Sequence, residues 1–179
     1  MTLPAELYFR PALESELSMA RGIDDDACEA FKSIGLALDL AADHPFALAE
    51  VARWAEAAGR QQLIFACSAA GEPVGFAALG TVDSRPYLDQ LSVRRAWMGK
   101  GIGGAFVERA KEWSSLAGEL WLTTYDERVP WNQPWYARLG FVRVPEAGCG
   151  PELRRKLEAE RASLPAPEAR VAMRFQHPR

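Results

Sequence analysis

The chain has 179 residues, with 21 lysines and arginines against 24 aspartates and glutamates, for a net charge of -3. Hydrophobic residues make up 49% and charged residues 25%, a balance that excludes disorder and supplies apolar material for one core, at roughly one domain per 150 residues. An isoelectric point near 5.5 excludes general attraction to nucleic acid or to an anionic membrane, so any anion site must be local.

Cys28, Cys67 and Cys149 are odd in number and lack a CxxC pair. Neither a disulfide framework nor a metal site is expected, and a reducing cytoplasm fits them. The opening MTLPAELYFRPALE carries acids where a leader needs an apolar stretch, and no run approaches the roughly 18 apolar residues of a spanning helix. Secretion and membrane insertion are not expected.

In chain order, LYFRP (Leu7 to Pro11) reads as a short strand, and Pro11 with Glu14 and Glu16 suits a helix start. Cys28, Phe31, Ile34 and Leu38 fall at helical spacing; after the break at His44-Pro45, so do Leu48, Val51, Trp54 and Ala58, up to Gly59. Gln62 to Ser68 and Val74 to Val82, joined by AAGEP, predict a hairpin in which Gly71 supplies the turn. Tyr87 to Val93 is a third strand. From Gly101, the positions Ile102, Phe106, Ala110, Trp113 and Leu116 mark one helix face. Glu119 to Tyr125 has the composition of a buried strand, so Tyr87 to Tyr125 is a strand, loop, helix, strand unit that implies parallel pairing in an α/β or α+β sheet. Asn132 to Gly140 predicts a short helix with Asn132 as N-cap and Gly140 as stop. The strand FVRV, a polar helix over 151–162 and a half-buried last strand, with Val171, Met173 and Phe175 facing inward, complete the chain.

RRAWMGKGIGG (Arg94 to Gly104) brings four glycines and three cations to the start of a helix. Helix N-terminal amides have no intrahelical partner and carry the positive end of the dipole, so a glycine-rich approach lets phosphate oxygens reach them. The P-loop pattern GxxxxGK followed by Ser or Thr is absent. A dinucleotide GxGxxG is spelled by Gly99, Gly101 and Gly104, with Glu119 further on. Five residues separate it from the preceding strand, and Glu119 starts a strand where the fingerprint needs an acid at a strand's end, so an NAD-binding oxidoreductase is the weaker alternative.

Taken together, YLDQLSV, the loop MGKGIG, the helix and strand that follow, and Asn132 with WYARLGF resemble the GCN5-related N-acetyltransferases (GNAT superfamily). The resemblance implies a mixed, mostly antiparallel sheet with a central parallel pair of strands that splay apart, flanked by helices. One domain would span 1–179, with an extra helix over 151–162. It also implies acetyl-CoA as cosubstrate, no metal, and a primary amine as acceptor, on a small molecule, a peptide N-terminus or a lysine. Met98 stands where the family usually has Arg or Gln. By the same resemblance the pyrophosphate rests on the amides of Met98, Gly99, Lys100, Gly101, Ile102, Gly103 and Gly104. Pantetheine pairs with the main chain of Leu91, Ser92 and Val93 and touches Asn132. Tyr136 serves as general acid and also contacts the cofactor, and Asp89 is the candidate general base.

Arg94, Arg95 and Lys100 are candidate phosphate partners, and Trp97, Trp131 and Trp135 a candidate aromatic wall. Asp24, Asp25, Asp26 and Glu29 either draw an amine or compensate a helix dipole at a helix start. His44 and His177 are too isolated for catalysis or metal binding. The family also makes a homodimer an option, and a non-catalytic acyl-CoA sensor is the second alternative.

Overall fold

The computed structural model describes residues 7–178; residues 1–6, on which part of the leader reading rests, lie outside. The strands are β1 (Tyr8–Pro11), β2 (Leu63–Cys67), β3 (Pro73–Val82), β4 (Arg85–Val93), β5 (Glu119–Tyr125), β6 (Val142–Val144) and β7 (Arg170–Gln176). The helices are α1 (Leu17–Cys28), α2 (Pro45–Gly59), α3 (Ile102–Ser114), α4 (Gln133–Arg138) and α5 (Pro151–Ser163). The sheet has the order β1-β2-β3-β4-β5-β7-β6. Its pairs β1/β2, β2/β3, β5/β7 and β6/β7 are antiparallel. β4 and β5 run parallel, with Tyr87 opposite Trp121. This mixed sheet is not the parallel array that a doubly wound dinucleotide domain requires. Among the described residues no helix is long and apolar enough to cross a membrane.

The chain divides into two compact units, residues 7–80 with 89–109 and residues 81–88 with 110–178. In the first, Trp54 of α2 meets Phe76 of β3 edge-on at 5.0 Å and joins Ala20 and Ile23 of α1 in the core. Gly75, next to Phe76, therefore faces the other side, where a Cβ would come within 3.0 Å of the Ser92 carbonyl and 3.3 Å of Phe106 of α3. Only glycine permits that approach. α1 and α2 thus cover one face of this part of the sheet, and the first half of α3 covers the opposite face.

In the second unit β7 pairs with β5 from Glu119↔Gln176 to Tyr125↔Arg170 and with β6 on its other edge. Asp83 and Ser84 take left-handed φ of 50° and 58° in the β3-β4 turn. The Asp83 carboxylate accepts the amides of Glu152 and Leu153 at 2.8 and 3.1 Å, capping α5 from outside.

Three expectations need correcting. The helical spacing through Leu38 overreaches: α1 ends at Cys28, a 3-10 turn follows over Glu29–Ile34, and Gly35 at φ 76° stops it. On α3, Ile102, Phe106 and Ala110 are buried, but Trp113 is 36% exposed and Leu116 fully so. The helix yields to a 3-10 turn at Ser115–Ala117, which rotates Leu116 out, and Val107 and Ser114 are buried instead. β7 is not half-buried, because Arg170 through Met173 are all buried in a strand paired on both edges.

Candidate functional site

At the end of β4 the Arg94 amide donates to the Val74 carbonyl at 2.9 Å. Main-chain groups alternate along a strand, so those of Leu91 and Val93 are directed to the edge away from β3. A 3-10 turn, Arg95–Trp97, leads to Met98 in extended conformation, and Gly99 and Gly101 follow with φ of 76° and 84°. These two left-handed positions let the chain turn sharply into α3. Ala105 makes the first helical bond, to the Gly101 carbonyl at 3.1 Å. Among the described residues no acceptor meets the amides from Gly99 to Gly104. A Cβ on Gly104 would meet nothing within 4 Å outside the helix's own backbone, at the head of the 13-residue α3. A row of unaccepted amides of this kind is suited to an anion.

The cations around it are partly committed. Asp26 binds the Arg95 guanidinium through Nε and Nη2, both at 3.2 Å, and takes the Arg95 amide at 2.7 Å. Arg94 Nε points to the Pro73 carbonyl at 3.4 Å. The Lys100 ammonium rests 4.4 Å over the Trp97 ring, exposed beside the glycines.

Asp89 accepts from Arg53 of α2, with Nε at 3.2 and 3.0 Å from its two oxygens. Ser92 and Gln90 both donate to Asp24 of α1 at 2.6 Å. Asp89 and Gln90, neighbours in sequence, thus both reach the α1-α2 side, while Val93 Cγ2 lies by Phe106 near Gly75. The regular alternation that would group Asp89 with Leu91 and Val93 does not hold. Ser92, expected with the pantetheine contacts, has its side chain committed to α1.

Sequence reasoning missed Arg53, Asp24 and Asp26 as partners of the β4 region. A signal was present, because α1 runs from Leu17 to Cys28. Asp24 to Asp26 stand near its C-terminal end, where the dipole disfavours acids; they are not a helix start, and they are held by specific donors. His44 proves to be the N-cap of α2, its Nδ1 accepting the Phe46 amide at 3.2 Å. Among the described residues no group of three or more His, Cys, Asp or Glu is placed to hold a metal.

In the second unit, Asn132 precedes α4 without a side-chain cap bond; its carbonyl accepts the amides of Trp135 and Tyr136, each at 2.9 Å. Asn132 thus holds the predicted N-cap position, but without the side-chain bond. Tyr136 is half-buried, edge-on to Trp135 at 4.8 Å and to Phe141 at 5.5 Å. Burial pushes its phenol above the ordinary tyrosine value. Trp131 is 37% exposed, whereas Trp54 and Trp121 supply the core.

The family model described as "Acetyltransferase (GNAT) domain" matches residues 60–143, which run from β2 into β6 and include the whole glycine row. Over that segment the chain is similar to the GNAT superfamily. Solved structures agree on the fold. A PaiA N-acetyltransferase from Thermoplasma acidophilum, in complex with coenzyme A, superposes with a TM-score of 0.64 at 12% identity, over 96% of this chain and 99% of that one. A GNAT-family acetyltransferase from Listeria monocytogenes gives 0.64 at 12% identity, over 98% of each chain. N-acetylglutamate synthase from Neisseria gonorrhoeae, complexed with coenzyme A and N-acetyl-glutamate, gives 0.65 at 16% identity, over 98% of this chain and 36% of that one. At such identities the likeness concerns the GNAT fold.

Proposed function

We propose that this protein is an acetyl-CoA-dependent N-acetyltransferase that passes the acetyl group directly to a primary amine within a ternary complex. The reading is carried by the row of unaccepted amides from Gly99 to Gly104 at the head of α3, a feature suited to a diphosphate. The coenzyme A in the Thermoplasma and Neisseria structures supports coenzyme A as its ligand. The family match draws residues from both units, which favours one catalytic domain with α5 as an addition. Three free thiols suit a reducing compartment.

In this assignment Gly99 to Gly104 hold the diphosphate, Lys100 adds positive charge, and Leu91 and Val93 offer main-chain groups to pantetheine. An amide near Val93 polarises the thioester carbonyl. The amine attacks that carbon, the C–S bond breaks, and Tyr136 gives its proton to the departing thiolate. A phenol is protonated at neutral pH, as a general acid must be, and burial makes its donation more uphill. Asn132 contributes a contact to pantetheine. Asp89 remains the base candidate on β4, and an acceptor ammonium has to share or displace Arg53 to reach it.

Thiol release from acetyl-CoA over a panel of amines tests the reaction, and heat protection by acetyl-CoA but not NAD tests the ligand. Gly101→Glu is expected to abolish protection; Tyr136→Phe is expected to lower turnover with little change in affinity. Absence of both protection and release in the wild type overturns the proposal. The engagement of Asp89 by Arg53 favours one second reading, an acyl-CoA sensor. Protection without release from any amine selects it.

A further inference from the structure

The acid run of α1 stands at the helix end whose carbonyl dipoles repel negative charge, so a compensating interaction is required. Asp25 finds it in Arg21, one turn back, at 2.8 Å. Asp24 and Asp26 find theirs in β4 and the loop after it. We infer that Asp24 and Asp26 are positioning residues for the coenzyme-binding strand and loop, acting through the Ser92 hydroxyl and the Arg95 amide. The inference rests on the acetyl-CoA reading proposed above.

Asp26 holds backbone as well as side chain. Its Oδ2 accepts the main-chain N–H of Arg95 at 2.7 Å while Oδ1 takes the guanidinium, so the path of the chain is fixed four residues before Gly99. Asp24 grips the strand itself: one oxygen accepts both Ser92 Oγ and Gln90 Nε2 at 2.6 Å. With these two side chains pinned to α1, the main-chain groups of Leu91 and Val93 keep their aim at the edge away from β3. The stretch that feeds the glycine row is thereby tied to one helix at both ends.

Asp24 is 8% exposed and its donors are neutral. Burial, helped by the Asp25 charge, outweighs the Ser92 and Gln90 hydrogen bonds and the Arg21 charge, pushing its carboxyl upward. A buried acid without a bonded counter-ion is a costly way to hold a strand, and the strand it grips is the one assigned to pantetheine.

The full-length protein titrated calorimetrically with coenzyme A tests this, with melting and amide exchange at Arg95 recorded alongside. Asp26→Ala should weaken binding about tenfold and expose the Arg95 amide to exchange, since it removes a charge-assisted bond. Arg95→Ala should stay within about threefold, because the amide remains held, and Asp26→Asn should recover most of the loss by keeping an acceptor. Asp24→Ala should cost about tenfold and Asp24→Asn, which retains an oxygen for both donors, under about threefold. Should Asp24→Ala fail to fold, Ser92→Ala reads the same bond with a smaller loss. A purely structural role would lower melting temperature and leave the affinity of folded protein unchanged. Asp26→Ala and Asp24→Ala binding coenzyme A within twofold of wild type would overturn the inference alone. A wild type that does not bind coenzyme A overturns the acetyl-transfer reading as well.

Discussion

Asp24 in the first unit and Glu160 in the second are both buried, at 8% and 3% exposure, and they are held in opposite ways. Glu160 accepts Arg170 Nε at 3.1 Å and Nη2 at 2.8 Å, and the Thr123 hydroxyl at 2.7 Å. Thr123 in turn lies 2.6 Å from the Tyr87 hydroxyl. The network links β4, β5, α5 and β7 and neutralises its charge internally. Among the described residues, Asp24 has two neutral donors and no bonded cation. The contrast separates two uses of a buried carboxylate. A neutralised one fastens secondary structure, whereas one kept without a counter-ion sits against the strand assigned to the cofactor.

The sharpest way to break the comparison is Glu160→Ala. It leaves the Arg170 guanidinium buried without its anion and should cost about 3–5 kcal/mol in urea unfolding. Replacing Glu160 and Arg170 together by apolar residues should restore most of that, and an unrestored double variant would mean that the network does more than balance charge. Asp24→Ala comes next, at about 1–3 kcal/mol, for two donors left unpaired. Asp24→Asn keeps those bonds and removes the charge. Because burial raises the carboxyl, the native state holds its proton more tightly than the unfolded chain, so stability falls as pH rises from the ordinary carboxylate value through the raised one. Melting temperature followed against pH should lose that slope in the Asn variant.

Gly140 provides an uncharged control in the second unit. Its φ is 88° and a Cβ would come within 3.3 Å of Phe175, so Gly140→Ala should cost about 1–2 kcal/mol without any pH dependence. The smallest effect belongs to Arg10 and Glu16 in the first unit, paired at 2.6 Å. Arg10 lowers the Glu16 carboxyl to about 2. The contribution of the pair is present above the ordinary carboxylate value and is lost as pH falls toward 2. Glu16→Gln should flatten the acid limb of the stability profile by less than about 1 kcal/mol.

The elements were largely legible because glycine, proline and the two hydrophobic periods act locally. Gly71 and Gly140 stop or turn the chain at φ of 85° and 88°, and Pro45 opens α2. Errors arose where a period continued past its helix. Phe31, Ile34 and Leu38 keep helical spacing beyond Cys28, and Trp113 and Leu116 keep it on α3, because periodicity registers apolar spacing and not whether a neighbour is present to cover it. Arg170 misled for the opposite reason: an arginine in an alternating strand reads as exposed unless its Glu160 is known.

The sequence by itself determined the order of the elements, the GNAT resemblance and the glycine row with its orphan amides, since each follows from local residue preferences and backbone valence. Only the tertiary structure decided that Arg53 takes Asp89, that Asp24 and Asp26 reach across to Ser92 and Arg95, and that Glu160 meets Arg170. Those pairings span 10 to 69 positions, and a charge acquires its role from the partner that folding brings to it.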